Sequence, residues 1–297
     1  MKTLTTPNSC FDNIPDYPFA PHYSEVADGL NMHYVDEGEG PVVLLMHGEP
    51  SWSFLYRKMI PVLVAAGFRV IAPDLIGFGK SDKPTEQSDY SYRSHIAWVT
   101  RLLKNLELSG INLFCQDWGG LIGLRVVAEN ELLFDRVVTS NTILPMSGVK
   151  ATKAFLDWRE FSQKVPVFEA KTILQKATMT TLSEEELLAY DAPYPDQSYV
   201  AGARKFPMLV PFDGADEASV LPECDKAWEV FSNWEKPFLT LFGDSDPIML
   251  GVEKVFQARI PGAKGQPHQI IKNGGHFIQE DAGKELAMLM ADFIKTT

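Results

Sequence analysis

Five short, nearly continuous apolar runs, each closed by polar or turn-forming residues, constrain this chain more than any other feature. They are Val42 to Met46, Arg69 to Asp74, Ile111 to Cys115, Arg136 to Ser140 and Phe238 to Phe242. None alternates strictly, and a strand carries apolar residues in succession when both of its faces are covered. Helical patterns lie between the runs. Ile96, Val99, Leu103 and Leu106 share one face, as do Leu286, Leu289, Met290, Phe293 and Ile294 near the end of the chain. A further helix, from about Ser53 to Ala66, is expected to stop at Gly67, in the C′ position that favours glycine. Strand and helix alternating in this way predict an α/β fold with a mostly parallel central sheet flanked by helices. Ligands of such sheets bind beyond the carboxyl ends of the strands, so chemistry is sought just after each run.

One region breaks the alternation. From about Gly148 to Pro211 the chain reads as helix and turn only, with the acidic stretch Leu182 to Leu188 followed by the proline- and tyrosine-rich Asp191 to Asp196. Strand character returns near Pro237. A structureless loop of that length is uncommon in a compact domain. The insertion therefore predicts a helical cap that roofs a pocket, with a core domain of residues 1–147 and 214–297 and a cap domain of residues 148–213.

Composition narrows the partners. The chain has 297 residues, of which 45% are hydrophobic, enough for one large core. Its formal net charge of −12 repels phosphate backbones and anionic lipid heads, so neither nucleic acid nor a membrane is expected as a partner. No apolar run occupies the first 18 residues, and Met59 to Phe68 falls far short of the ~20 residues that span a bilayer. Cys10, Cys115 and Cys224 form no Cys-x-x-Cys pair, which predicts neither a disulfide framework nor a cysteine zinc site and fits a reducing cytoplasm. His22, His33, His47, His95, His268 and His276 show no close ligand spacing, so no metal and no organic cofactor is implied. The chain is expected to act as a monomer.

The sharpest chemical signal is Cys115-Gln116-Asp117-Trp118-Gly119-Gly120, directly after a buried strand and directly before a helical pattern. Small residues two before and two after the apex of a strand-to-helix turn mark the nucleophile elbow familiar as Gly-x-Ser-x-Gly, here with Asp at the apex. An aspartate that merely turns the chain and caps the helix is the bland alternative for the motif taken alone. Later positions shift the balance. Gly243-Asp244-Ser245-Asp246 and Asn273-Gly274-Gly275-His276 each follow a strand, and nucleophile, acid, histidine is the chain order of the α/β-hydrolase triad. His47-Gly48-Glu49-Pro50, after the first run, stands where such proteins form half of an oxyanion hole from a backbone N–H.

The change from Ser to Asp alters the reaction. A carboxylate with a pKa of about 4 is ionised at pH 7 and suits displacement at a saturated carbon. The product is an ester on Asp117, and its hydrolysis is left to a water activated by His276, with an acid on the other ring nitrogen. A departing halide calls for donors without competing charge, such as indole N–H groups. Trp118 abuts the nucleophile, and Phe155-Leu156-Asp157-Trp158 in the cap offers a second indole.

These residues resemble the haloalkane dehalogenases, and specifically their first subfamily, over almost the whole chain. The likeness runs through Pro15 to Pro18, His47 to Ser53, Tyr56 to Pro61, Gly77 to Pro84, Gln116 to Gly120, Phe155-x-x-Trp158 and Arg204-Lys205-Phe206-Pro207. It implies an α/β-hydrolase fold and cleavage of carbon–halogen bonds in a small halogenated alkane to give alcohol, halide ion and a proton. By that resemblance Asp117 is the nucleophile, His276 the base and Asp246, rather than Asp244, its orienting acid. Trp118 and Trp158 hold the halide, and the backbone N–H groups of Glu49 and Trp118 form the oxyanion hole. Leu121, Phe155, Phe206 and Pro207 line the pocket. Asn141 stands where another subfamily carries its acid. Leu121, where a relative has an aromatic residue, and the poorly matching segment 160–177 point to a pocket shape of its own.

Three rival functions share parts of this pattern. An epoxide hydrolase would use the same aspartate with cap tyrosines as acid donors, for which Tyr190, Tyr194 and Tyr199 are candidates. A ligand-binding protein on the same fold would have no use for a complete triad. A fluoroacid dehalogenase would place an arginine beside the nucleophile, where this chain has Trp118.

Overall fold

The computed structural model describes residues 1–297. Eight strands form one sheet: β1 (His22–Ala27), β2 (Leu30–Glu37), β3 (Val42–Met46), β4 (Arg69–Pro73), β5 (Ile111–Gln116), β6 (Phe134–Ser140), β7 (Phe238–Gly243) and β8 (Gln269–Ile271). Their order across the sheet is β8-β7-β6-β5-β3-β4-β2-β1. From β4 to β8 every neighbouring pair is parallel, and β2 runs antiparallel to both β4 and β1. All the residues of β5 and β7 are buried, which is why these strands read as unbroken apolar runs. The β1–β2 hairpin left no such run. On β1, at the sheet edge, half-buried and exposed positions alternate over the first four residues and only Val26 is buried, so its sequence His-Tyr-Ser-Glu-Val-Ala carries no hydrophobic signal.

The helix expected over residues 53–66 is broken. A short 3-10 turn at Ser53–Tyr56 precedes helix α1 (Ile60–Ala65). Pro61 lies in the first turn of α1, where its missing N–H costs nothing; inside one longer helix it would have removed a hydrogen bond. Gly67 then takes a φ of +93°, as a C′ glycine does. Helix α2 (Tyr92–Asn105) opens with the Ser91 hydroxyl accepting the Ser94 N–H at 3.1 Å and buries Ile96, Val99 and Leu103. Helix α3 (Trp118–Glu129) follows β5 after a single residue, Asp117.

Between β6 and the next core helix the chain forms α4 (Lys153–Lys164), α5 (Ala170–Ala177), α6 (Glu184–Asp191) and α7 (Ala201–Leu209), with no strand among them. The chain then returns through α8 (Leu221–Phe231) to β7, α9 (Glu253–Arg259), β8 and α10 (Ile278–Thr296). Helix α6 is tied down by charge. Arg57 and Glu280, both fully buried in their side chains, form an ion pair, and Arg57 reaches Glu186 of α6 at 2.6 Å. Lys58 joins Glu280 at 2.7 Å, and the Tyr190 hydroxyl donates to the same carboxylate. Two cations and a phenol around one buried carboxylate compensate its lost hydration. No helix is long and apolar enough to cross a membrane.

Candidate active site

Parallel pairing brings the carboxyl ends of the strands to a single edge. Met46 pairs with Cys115, Gln116 with Ser140, and Gly243 with Ile271. The residues that follow these ends therefore meet, although more than 200 positions separate His47 from His276. Asp117 occupies the turn between β5 and α3 with φ +50° and ψ −127°, a conformation that L-residues rarely adopt and that functional turns hold at a cost of order 1–3 kcal/mol. Close approach makes it possible. A Cβ on Gly119 would collide with the carbonyl oxygen of Met46, and one on Gly48 with the Asp117 carboxylate itself.

The two carboxylate oxygens of Asp117 have different partners. Oδ1 accepts the backbone N–H of Glu49 at 2.7 Å, while Oδ2 lies 3.4 Å from Nε2 of His276. The Trp118 N–H makes no hydrogen bond to the carboxylate. On the other side of the imidazole, Nδ1 of His276 is 2.7 Å from Oδ2 of Asp246, which is 1% exposed. Oδ1 of Asp246 accepts the N–H groups of Ile248 and Met249 at 2.9 and 3.2 Å. Asp244 stays exposed and accepts the Asn273 N–H at 2.9 Å, a turn contact away from the imidazole. Burial disfavours the His276 imidazolium, but Asp246 and the Asp117 carboxylate together outweigh it and raise the group from 6.5 to about 10. Burial likewise opposes the charge on Asp246, yet His276 and the two backbone donors hold its pKa below the ordinary 3.8.

Residues without an obvious chemical signature hold the histidine. Asn141, φ +38°, donates from Nδ2 to the carbonyls of Gly275 and His276 at 2.7 and 3.2 Å and accepts the Gly243 N–H at 2.8 Å. It thus locks the strand that leads to Asp246 against the loop that carries His276. Gln116 adds a bond to the His276 carbonyl at 3.0 Å. From the helices inserted between β6 and α8, the Ala177 carbonyl at the end of α5 accepts the His276 N–H at 2.8 Å. Asp281 accepts the N–H groups of Gly275, Met179 and Thr180 at 2.8, 3.0 and 2.7 Å. Nothing in the sequence around Asp281 marks it, and the elbow motif that contains Gln116 gives no sign of this bond, because the partners of both side chains are backbone groups.

A cavity of about 860 Å³ opens above Asp117, and Glu49, Trp118, Leu121, Phe155, Trp158 and His276 are among its lining residues. Two expected pocket residues lie elsewhere. Phe206 is fully buried and packs against Trp118 with the rings tilted by 59° and their centroids 4.6 Å apart, and Pro207 is buried within α7. Both face the core behind Trp118, because the apolar side of α7 is drawn onto the Phe78 and His95 rings. The tyrosines considered as acid donors also lie outside the cavity wall. Tyr190 is bound to the buried Glu280, and Tyr194 is buried with its hydroxyl 3.5 Å from the Pro50 carbonyl. Tyr199 sits in a short turn before α7. An epoxide hydrolase mechanism therefore lacks its phenol donor here. Glu49 also carries an unpartnered buried Oε1, and its burial beside Asp117 lifts its pKa well above the usual carboxylate value.

Comparison with known proteins places this geometry. Residues 41–283 match the model of the α/β hydrolase fold. The chain is 52% identical to a haloalkane dehalogenase of Psychrobacter cryohalolentis, over 99% of this chain and 98% of that one. It is 48% identical to haloalkane dehalogenase 1 of Mycobacterium bovis over the full length of both. Among solved structures, the haloalkane dehalogenase of Paraglaciecola agarilytica, described as a tetramer, superposes with a TM-score of 0.90 at 32% identity, covering 100% of this chain and 99% of that one. An Asp elbow facing a histidine across one carboxylate, on this fold and with these relatives, makes the chain a member of the haloalkane dehalogenase family, hydrolases that act on carbon–halide bonds.

Proposed function

We propose that this dehalogenase works through a covalent alkyl ester on Asp117, with each residue role read from the partners just described. The observation that carries the reading is the asymmetry of the Asp117 carboxylate: Oδ1 is engaged by the Glu49 N–H, and Oδ2 is left toward His276 and the cavity. Oδ2 attacks the carbon that bears the halogen. The carbon–halogen bond breaks with its electron pair on the halide, which the indole N–H groups of Trp118 and Trp158 receive. Alkylation neutralises Asp117 and removes its hydrogen bond to His276, two of the influences that hold the imidazolium proton. The histidine pKa then falls and the ring becomes a base, still oriented by Asp246. It takes a proton from water, the oxygen adds to the Asp117 carboxyl carbon, and the negative charge develops on Oδ1, where Glu49 N–H already points and Trp118 N–H is adjacent in the chain. Collapse expels the alkoxide, which leaves as alcohol with the proton from His276. The regenerated carboxyl group passes its proton to His276, replacing the one the imidazolium gave up to solvent when its pKa fell, so that one proton is released per turnover. Glu49 and Trp118 as oxyanion donors, and Leu121 and Phe155 as pocket walls, complete the assignment.

His276→Gln tests the sequence of steps. Incubation with 1-bromobutane should release one bromide per enzyme and add one butyl group to the intact mass, located on Asp117 after digestion. An unmodified protein that releases no bromide would overturn the assignment of His276 to the second half-reaction.

Residues 148–213 form the proposed cap domain and residues 1–147 and 214–297 the core, since α4 to α7 are inserted whole between β6 and α8 and lend Phe155 and Trp158 to the cavity. The acid at Asp246, after β7, supports the first-subfamily reading. Asn141, after β6, has an amide committed to backbone groups. We also read the chain as a monomer, because exposed large apolar residues such as Leu132, Val167 and Leu250 are dispersed over separate elements, and as cytoplasmic, where three unpaired cysteines stay reduced.

A further inference from the structure

The cavity is polarised along its depth. Its floor holds the carboxylates Glu49, Asp117 and Asp246, of which Glu49 and Asp246 are buried and Asp117 half-buried, and no other carboxylate lines it. Four cations also line it, Lys150, Lys176, Lys254 and Arg259, and all four are exposed, which sets them at the mouth. Acidic residues outnumber basic ones 39 to 27 in the chain, so a mouth whose charged residues are all positive runs against the composition.

Pairing separates these cations from their neighbours. Elsewhere on the cap, Lys153, Lys164 and Lys171 are matched by Asp157, Glu160 and Asp191 at 2.5, 2.5 and 3.2 Å. None of the four cations at the mouth has a carboxylate within ion-pair distance. Lys176 lies over the Phe161 ring at 5.8 Å and Arg259 over the Trp228 ring at 5.3 Å, contacts that steady the side chains and leave their charge available. They come from separate segments: Lys150 from the loop after β6, Lys176 from α5, and Lys254 and Arg259 from α9. Between floor and mouth the wall is apolar, with Ile173, Met249, Val252 and Val255 among its residues. Volume points the same way, since about 860 Å³ lies in the range of pockets that bury drug-sized ligands, well beyond a short haloalkane.

We propose that the pocket takes halogenated alkanes that carry an anionic group at the far end, ω-halocarboxylates, with the halogen down at Asp117 and the carboxylate among Lys150, Lys176, Lys254 and Arg259. The inference rests on the dehalogenase reading of Asp117 and names its substrate class. The reaction is the same displacement and hydrolysis: the carbon–halogen bond breaks, water supplies the new oxygen, and the products are an ω-hydroxycarboxylate, halide and a proton. Geometry separates this class from 2-halo acids. In those the carboxylate adjoins the reacting carbon and would lie beside Glu49 and Asp246, where the His276 imidazolium is already matched by Asp246 and Asp117, and away from the four cations at the mouth.

The test compares bromide release from 8-bromooctanoate, its neutral counterpart 8-bromo-1-octanol, and 2-bromobutanoate. The expected kcat/KM is higher for 8-bromooctanoate than for the alcohol at low salt, and the advantage shrinks as ionic strength rises through 0.1 M, where the screening length is about 10 Å. In the double variant Lys176→Gln/Lys254→Gln, whose changed side chains are exposed, kcat/KM for 8-bromooctanoate should fall about fivefold, as expected for two solvent-exposed charges, and that for the alcohol less than about twofold. 2-Bromobutanoate should be turned over poorly by both proteins. Equal kcat/KM for the octanoate and the alcohol, an equal loss of both in the double variant, or efficient turnover of 2-bromobutanoate would each overturn the substrate class. Bromide release from none of the three, nor from 1-bromobutane, would instead overturn the reading of Asp117 itself.

Discussion

Trp118 and Trp158 both line the cavity and neither spends its indole N–H on a protein acceptor, whereas Trp52 donates to the Ala189 carbonyl at 3.0 Å and Trp228 to that of Leu144 at 3.1 Å. Their surroundings differ. Trp118 is 3% exposed and wedged between Tyr92, which it meets edge-on, and the tilted ring of Phe206. Trp158 is half-buried on α4, a helix whose only buried residue is Ser162. Removing the donor of Trp158 should therefore act on halide alone. In Trp158→Phe the affinity for bromide, read from saturable quenching of tryptophan fluorescence, should weaken by about 1 to 3 kcal/mol, the usual value of a hydrogen bond to a charged group, with little change in thermal stability. An unchanged bromide titration would exclude Trp158 from the halide site. Phe206 belongs to the same scale. Its resemblance to a pocket residue was correct about the neighbourhood and wrong about the face, because position along a helix tells which turn a side chain is on and leaves open which neighbour covers it.

At the level of elements, the loop that carries His276 is held from both sides, by the amide of Asn141 between strands and by the helical insertion through α5 and Asp281. The Asp281 carboxylate gathers two backbone N–H groups just after α5 and one from Gly275, so the end of α5 and the residue before His276 share one anchor. Charge-assisted bonds of this kind are roughly twice as strong as neutral ones. Asp281→Ala should leave the ester-forming step nearly intact and slow the hydrolytic step about tenfold, because only the second requires His276 to sit over the ester; alkyl-enzyme should then accumulate at steady state, visible by intact mass. Asp281→Asn keeps one accepting oxygen and should recover part of the rate. A loss of both steps in proportion to lost folded protein would make Asp281 a purely structural residue. The sequence showed the α5 region only as a poor match to relatives. Its bonds to the loop run from backbone to backbone or to a lone carboxylate, and neither leaves a residue-type signature.

For the molecule as a whole, the buried cluster of Arg57, Lys58, Glu280, Glu186 and Tyr190 and the Trp52 bond to Ala189 fasten α6 to the core, while α4 remains the more exposed side of the roof. The monomer reading has a direct check: light scattering should return a mass of 33.2 kDa, and a fourfold mass, as in the tetramer described for the Paraglaciecola relative, would overturn it. Much of this architecture was legible in the amino-acid order. Buried strands, the Asp elbow, the succession Asp117, Asp246, His276 and the helical insertion all express patterns carried by residues near one another in the chain, where covered faces demand apolar runs and a tight turn demands small neighbours. The tertiary structure alone decided that the helix after Ser53 is divided, with Pro61 in the first turn of its second part, and that Tyr190 serves a buried carboxylate outside the cavity. It also turned Asn141 from a missing acid into the brace of the histidine loop and gathered four unpaired cations at one mouth. Each of these outcomes depends on the register of strands and on the rotation of helices brought together across dozens to hundreds of residues, and local pattern carries no information about which side chains such packing makes neighbours.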